Sequence, residues 1–297
     1  MPDSELHLTI HQTAPLLGER EDNASEVRTR VQDSTGRDLL VFPELALTGY
    51  TLRSRVQREA KPLSEGSPLI LPPGSPPVVF GLPERGEDEL VYNTAVVVHE
   101  GRVLLKHRKV YLPTYGLFDE SRYYAAGREA PGVTTLPGGW KVGLLICEDL
   151  WHPALLYLLA IQGVEVIVVL AAAPGRGDPG AFAGDSPPGA EADSPGPLFS
   201  STASWSLLAR TAALQYGVFV VIGNRGGVEE GVTFAGESLV VGPDGALLAR
   251  APQREPAVLE ASLSRGTLRR ARTPYAHLRD EDPDFLLRAL LALRQGR

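Results

Sequence analysis

The sequence predicts an α/β fold in which layered sheets carry helices on their outer faces. Three observations predict it. Strand-like and helix-like segments alternate along the whole chain. Several strand-like segments are continuous apolar runs, the pattern of strands buried on both faces. No linker and no repeat of about 20 to 50 residues divides the chain, so residues 1–297 read as a single domain. Buried strands flanked by helices stack as sheets with helices outside.

The elements follow in order. "LHLTIHQTAP" alternates and stops at Pro15, as a strand does, and "EREDNASEVRTRVQDS" has the spaced apolar positions of a surface helix. "DLLVFPEL" is a buried strand. "SPPVVFGLPE" is the next strand-like stretch, and "LVYNTAVVVHEGRVLLKHRKVYL" holds two strand-like runs that turn at Gly101. "WKVGLLICEDLW" begins as another buried strand. "PALLYLLAIQGV" is a helix with Pro153 in its first turn and Gly163 as its C-terminal cap. "EVIVVLAAA" returns as a strand, "SWSLLARTAALQYGV" is a helix ending at Gly217, and "FVVIGNRGG" is a strand. "ESLVVGPDGALLAR" is a hairpin turning at "GPDG". "DPDFLLRALLALRQ" closes as an amphipathic helix.

Charge and composition exclude some functions. A net charge of -7 argues against a general nucleic-acid binder, which needs a basic face. One cysteine forms no internal disulfide. "MPDSELHLTI" has acids where a signal peptide has a basic region, and the run "VEVIVVLAAAP" is too short to span a bilayer. The expectation is a soluble cytoplasmic protein that binds neither nucleic acid nor membrane.

One segment departs from the pattern. Pro174 to Ser201 is dominated by Gly, Pro, Ala, Asp and Ser. It directly follows a buried strand, and pockets in α/β folds open at strand ends. It is read either as a surface insertion or as a lid over the site.

Three residues sit at three strand ends. Cys147 ends the run "VGLLICEDLW" and is the sole cysteine. Taken alone it is a small buried apolar residue. The acids Glu148 and Asp149 that follow would raise a thiol pKa, so a reactive Cys147 calls for a cation close by. Glu44 ends the apolar run in "DLLVFPELALTGY", where desolvation would suit a carboxyl to act as a general base. Lys109, in "LLKHRKVYLPTYG", is one of only four lysines in a chain that otherwise uses Arg. Its ammonium could hold a thiolate and later an oxyanion.

In that order, "FPELALTGY", "HRKVYLP" and "LICEDLW" resemble the Glu-Lys-Cys motifs of the nitrilase, or carbon–nitrogen hydrolase, superfamily. "YNTAVVV", "GNRGG" and "FAGESLVVGPDGALLAR" extend the resemblance over nearly the whole chain. The resemblance implies a four-layer α-β-β-α sandwich. It also implies a thioester mechanism, with catalytic roles for Glu44, Lys109 and Cys147. It implies a further glutamate after the Lys motif. Glu120 in "PTYGLFDESRYYAAG" matches best, with Asp119 as its rival. No cofactor and no metal are expected, and the six histidines show no paired spacing. His152 lies near Cys147 in sequence, but the resemblance gives the base role to glutamate.

The substrate is less legible. "HRKVYLPTYGLFDESRYYAAG" and "ICEDLW" resemble the glutaminase domains of glutamine-dependent NAD synthetases. By that resemblance Tyr115 and Phe118 line the substrate pocket. The backbone N–H of Glu148 joins the oxyanion site, and Trp151 and Ala173 supply walls. Those domains usually carry serines where this chain has "LAAAPGRG", and no ATP-binding loop of the SGGxxS kind appears. Three readings stand: an amidase on small linear amides or N-carbamoyl amines, a detached glutaminase feeding a separate synthetase, and a scaffold without activity. Leu155, Leu156, Leu158, Leu159 and Ile161 give the helix after the Cys motif more than one apolar face. That surplus predicts a homodimer or higher homo-oligomer.

Overall fold

The computed structural model describes residues 4–63, 68–175, 201–274 and 277–295. The strands are β1 (Glu5–Gln12), β2 (Leu39–Val41), β3 (Val78–Arg85), β4 (Val91–His99), β5 (Arg102–Arg108), β6 (Val133–Thr135) and β7 (Lys141–Ile146). They continue as β8 (Val166–Ala171), β9 (Phe219–Asn224), β10 (Val228–Glu229), β11 (Val232–Thr233), β12 (Leu239–Val241), β13 (Leu247–Arg250) and β14 (Ala257–Ser264). The helices are α1 (Arg20–Asp33), α2 (Val56–Glu59), α3 (Pro153–Ile161), α4 (Ser201–Tyr216), α5 (Arg265–Arg272) and α6 (Pro283–Gln295).

Two six-stranded mixed sheets run in the orders β14-β1-β2-β3-β4-β5 and β13-β12-β9-β8-β7-β6. At the centre of the first, β1, β2 and β3 are parallel. At the centre of the second, β7, β8 and β9 are parallel. Parallel strands are covered on both faces, which is why their sequences are apolar without alternation.

The inner faces meet in one large core. Leu8, Ile10, Val41, Val79 and Val97 of the first sheet pack with Leu144, Ile146, Val168 and Val220 of the second. On the outer face of the first sheet, Ala24, Val27 and Val31 of α1 cover Phe42, Phe80 and Val96. On the outer face of the second lie α3 and α4. Leu159 of α3 approaches Gly143 so closely that a Cβ there would meet it at 2.6 Å. The layers are therefore α-β-β-α, as the sequence resemblance implies.

The turns lie where the sequence marks them. Gly101 takes φ +73 between β4 and β5, and Gly245 takes φ +76 between β12 and β13. These are left-handed conformations that glycine adopts without a Cβ clash. Helix α4 begins at Ser201, earlier than the predicted start, and Ser201 Oγ donates to Pro174 O at 2.7 Å. The segment read as insertion or lid lies, apart from its ends, outside the described residues.

The apolar surplus expected on α3 is absorbed within the chain. Leu155, Leu156 and Leu159 are buried and Leu158 packs on the main core, leaving Ile161 exposed. The reason is that α3 contacts the second sheet, α4 and the turn after β7 together. An uncovered apolar face lies instead on α6, where Phe285, Leu287, Leu290 and Leu293 are exposed. Among the described residues no helix is long and apolar enough to cross a membrane.

Candidate active site

Cys147 follows β7 directly. The strand ends at Ile146 and the chain enters a 3-10 turn, Cys147–Trp151, with Cys147 itself at φ +48. A side chain in the left-handed region is strained, and such strain persists only where the surroundings enforce it. Here the enforcement is Asp149, which is fully buried. Its Oδ2 accepts Ile146 N–H at 3.2 Å and pairs with His107 Nε2 at 2.8 Å, while Oδ1 accepts Val110 and Tyr111 N–H, both at 3.0 Å. One carboxylate thereby ties the turn carrying Cys147 to the end of β5, where Lys109 sits.

Glu44 lies beyond β2, before Leu45 at φ +51. Gly81 of β3 packs against this bend, and a Cβ there would stand 2.4 Å from Leu45 N and 2.9 Å from Glu44 Cα. Only glycine permits so close a backbone approach.

Lys109, Glu44 and Glu120 meet in the interior. Lys109 Nζ donates to Glu44 Oε1 at 2.9 Å and to Glu120 Oε1 at 2.7 Å, and neither the lysine nor Glu44 side chain is exposed. Glu44 Oε1 also accepts Asn93 Nδ2 at 2.7 Å, and its Oε2 accepts Ala172 N–H at 2.8 Å. Glu120 Oε1 further accepts the Tyr50 hydroxyl at 2.5 Å, while Oε2 has no partner among the described residues. Burying one ammonium with two carboxylates is tolerable because each charge keeps several hydrogen-bonding partners.

The electrostatics follow from burial. Burial lowers the Lys109 affinity for its proton, but the Glu120 and Glu44 carboxylates outweigh it and hold the ammonium charged. Burial raises the Glu120 carboxyl to about 7, with Glu44 adding and Lys109 opposing. Burial and Glu44 push the Cys147 thiol well up, against the pull of Lys109 and the Ala172 amide. The cation that the sequence reading asks for beside Cys147 is Lys109. Burial and two carboxylates nevertheless favour the protonated sulfur over the thiolate. Of the two carboxylates, Glu44 is the one that most opposes thiol ionisation.

The remaining sequence-derived positions lie outside the Glu44–Lys109–Glu120 hydrogen-bonded cluster. Tyr115 is 52% exposed and its hydroxyl donates to Glu148 Oε2 at 2.7 Å. Phe118 meets the Tyr115 ring edge-on at 5.5 Å and the Tyr50 ring at 6.4 Å. Trp151 packs edge-on against Trp205 of α4 at 6.2 Å. Ala173 is buried and its N–H donates to Asn224 Oδ1 at 3.0 Å. His152 stacks on Tyr111 at 3.3 Å, with Nε2 3.9 Å from Glu148 Oε1. Asp119, the rival to Glu120, faces Arg122 at 3.7 Å in solvent and takes no part in the cluster. A large cavity of about 1150 Å³, lined by Leu214, Tyr216, Arg270, Arg272 and Leu278, includes none of these residues and is separate from the cluster.

Sequence reasoning missed Asn93, Tyr50 and Asp149. Asn93 carried a signal: it is a polar side chain inside the apolar run "YNTAVVV". Tyr50, six positions beyond Glu44, and Asp149, beside Glu148, carried none that separated them from ordinary turn residues.

Comparison with known proteins completes the picture. A glutamine-dependent NAD(+) synthetase of Thermotoga maritima is 38% identical over 178 residues, covering 57% of this chain and 30% of the synthetase. The structure of a glutamine-dependent NAD+ synthetase from Acinetobacter baumannii superposes with a TM-score of 0.72 at 23% identity, covering 89% of this chain and 47% of that one. The chain thus spans less than half of each synthetase. An amidase from Nesterenkonia sp. AN1 matches over 98% of both chains with a TM-score of 0.71 and 22% identity. The carbon-nitrogen hydrolase family model matches residues 8–273, and the chain belongs to that family.

Proposed function

We propose that this hydrolase cleaves the C–N bond of small linear amides through a thioester on Cys147. The observation that carries the reading is the convergence of Glu44, Lys109 and Glu120 on the thiol, each buried and each touching another. Glu44 takes the Sγ proton as sulfur attacks the carbonyl carbon. The C=O electron pair moves to oxygen, where the Lys109 ammonium and the Glu148 backbone N–H stabilise it. The oxyanion collapses, the C–N bond breaks, and Glu44 hands its proton to the leaving nitrogen. Water then gives a proton to Glu44 and attacks the thioester. The C–S bond breaks, sulfur recovers the proton, and the carboxylic acid leaves. One amide and one water become one acid and one amine.

An uncharged acyl group is favoured over glutamine by the alanines after β8. Ala172 and Ala173 bring no side-chain donor, and their N–H groups are engaged by Glu44 and Asn224. A free α-carboxylate would find no partner there. The detached glutaminase is the second reading, favoured by the partial identity to NAD synthetase and by the Glu148 carboxylate beside Tyr115. Ammonia release from a panel of aliphatic amides, N-carbamoyl amines, asparagine and glutamine separates the two. A kcat/KM for glutamine tenfold above that of an uncharged amide of similar length would establish the second reading. Fluoroacetamide, whose acetamide moiety adds to the active-site cysteine in a single-substitution mutant of the Nesterenkonia amidase, is a direct probe. Mass spectrometry should find the acetamide moiety on Cys147.

We propose, too, that the chain pairs with a second copy. The uncovered face of α6 now supports this rather than α3. Light scattering that returned the monomer mass of 31.9 kDa at micromolar concentration would overturn it.

A further inference from the structure

The catalytic cluster is braced from a part of the chain that contributes no reacting group. After β9, the chain from Arg225 to Phe234 forms the small β10–β11 hairpin. Within it Arg225 Nη1 donates to Glu229 Oε2 at 2.5 Å, and these two side chains are 1% and 4% exposed. The Arg225 guanidinium also lies 4.0 Å over the Phe234 ring. Glu229 is therefore a buried carboxylate with its charge balanced inside its own hairpin.

That carboxylate reaches across to the segment after Glu44. Its Oε1 accepts Tyr50 N–H at 3.0 Å, Thr51 N–H at 2.6 Å and Thr51 Oγ1 at 2.9 Å. The approach is close enough that a Cβ on Gly49 would stand 2.5 Å from Glu229 Oε2, and Gly49 takes φ +76. Phe234 adds an edge-on contact to the Tyr50 ring at 6.0 Å. With backbone and ring both fixed, the Tyr50 hydroxyl is delivered to Glu120 Oε1, the oxygen that also holds Lys109.

We propose that Glu229, balanced by Arg225, is a positioning residue of this site, acting through Tyr50 on the Glu120–Lys109 pair. The inference rests on the thioester reading above. A carboxylate suits this task better than a neutral acceptor. It accepts several donors at once, and charge-assisted hydrogen bonds are the stronger ones. Burial of Arg225 fixes the pairing, because either partner alone would be an uncompensated interior charge.

The consequence is readable in a pH profile. The groups that face Glu120 are Lys109, Glu44, Tyr50 and Tyr124, with Cys147 beyond. Of these, Lys109 and Tyr50 donate to its oxygen and favour the ionised carboxylate. Loss of the Tyr50 bond therefore lets the Glu120 carboxyl hold its proton to higher pH. The acid limb of kcat/KM should then move upward.

The test compares Tyr50→Phe, Glu229→Ala and the double variant, with Cys147→Ala as control, all on the full chain. Tyr50→Phe should lower kcat/KM by about tenfold, typical of a bond to a charged group, and raise the acid limb by about half a pH unit. Glu229→Ala should do the same, and should add less than about twofold in the Tyr50→Phe background, because coupled residues are non-additive. Where Glu229→Ala does not fold, Glu229→Gln carries the same comparison, since its amide faces Arg225 without charge balance. Equal losses from the Glu229 change in both backgrounds would show that it does not act through the tyrosine. A folded Tyr50→Phe or Glu229 variant with unaltered rate and pH limb would likewise overturn the proposal while Cys147→Ala stays dead. Turnover by Cys147→Ala would instead overturn the thioester reading beneath it.

Discussion

The inside and the mouth of the site are built differently. Inside, Glu44, Lys109 and Glu120 are buried and held by short bonds from three separate segments. At the mouth, Tyr115 is half exposed and Glu148 bonds to it across solvent-accessible space. Interior bonds form at low dielectric, where a misplaced charge is costly, so the geometry has one solution. Bonds at the mouth compete with water and can be exchanged at little cost. On the proposed reading, chemistry is fixed inside and selectivity is adjustable outside. Substitutions should lose effect steadily from the interior to the mouth.

The largest effect is expected at Cys147, the proposed nucleophile. Cys147→Ala should abolish turnover and leave thermal unfolding nearly unchanged, since removing one sulfur from a strand end costs little packing. Cys147→Ser should be almost as inactive, because a hydroxyl is far harder to deprotonate. Ammonia release by either variant at more than about a hundredth of the wild-type rate, the scale on which an oxyanion donor alone counts, would remove the interior cluster from the chemistry. Next comes Lys109→Arg. It keeps the charge, but a planar guanidinium cannot sit where one compact ammonium touches both Glu44 and Glu120. A fall in kcat of at least about 10²-fold is expected, and a near-normal rate would reduce Lys109 to a structural charge.

The same division explains what the sequence revealed. The strands, the glycine turns at Gly101 and Gly245, and the layer order were legible because burial writes itself as apolar runs and turns as glycine. Glu44, Lys109 and Cys147 stood out as chemistry-bearing residues at strand ends. Asp149 did not, because its task is to accept N–H groups from residues about 40 positions away along the chain, and spacing cannot show which backbone it meets. Tyr50 and Glu229 were hidden for the same reason, being 179 positions apart. The surplus of leucine on α3 was visible, but whether its neighbours or a partner cover it is decided by tertiary packing. The edge-on contact of Trp151 with Trp205 is likewise made across the fold, between residues far apart in the chain.

A smaller effect separates Glu120 from the rest of the interior. Its carboxyl, near 4.5 in an unfolded chain, is raised to about 7 chiefly by burial. Between those values the native state binds more protons than the unfolded state. The Glu120 contribution to stability is therefore complete below about pH 4.5 and declines as pH rises through about 7. Glu120→Gln has no such titration. The melting-temperature difference, wild type minus Glu120→Gln, should fall across that window and level off above it. A difference that rose with pH would mean that Lys109 and Tyr50 outweigh burial and hold the carboxyl ionised.

The smallest effect is expected at the mouth. Tyr115→Phe removes the hydroxyl that meets Glu148 Oε2 at 2.7 Å and leaves the ring edge-on to Phe118. A neutral hydrogen bond from a half-exposed hydroxyl contributes on the order of 1 kcal/mol, less where water replaces it. With an uncharged amide, kcat/KM should therefore change by less than about fivefold, with the fluoroacetamide reaction at Cys147 little altered. The comparison sharpens if glutamine is tested beside it. An ammonium group on the substrate would use the freed Glu148 carboxylate, so the ratio of glutamine to uncharged amide should rise in Tyr115→Phe. A fall of more than about a hundredfold with the uncharged amide would place the Tyr115–Glu148 pair in the reacting centre. The boundary between inside and mouth would then have to be drawn outside these two residues.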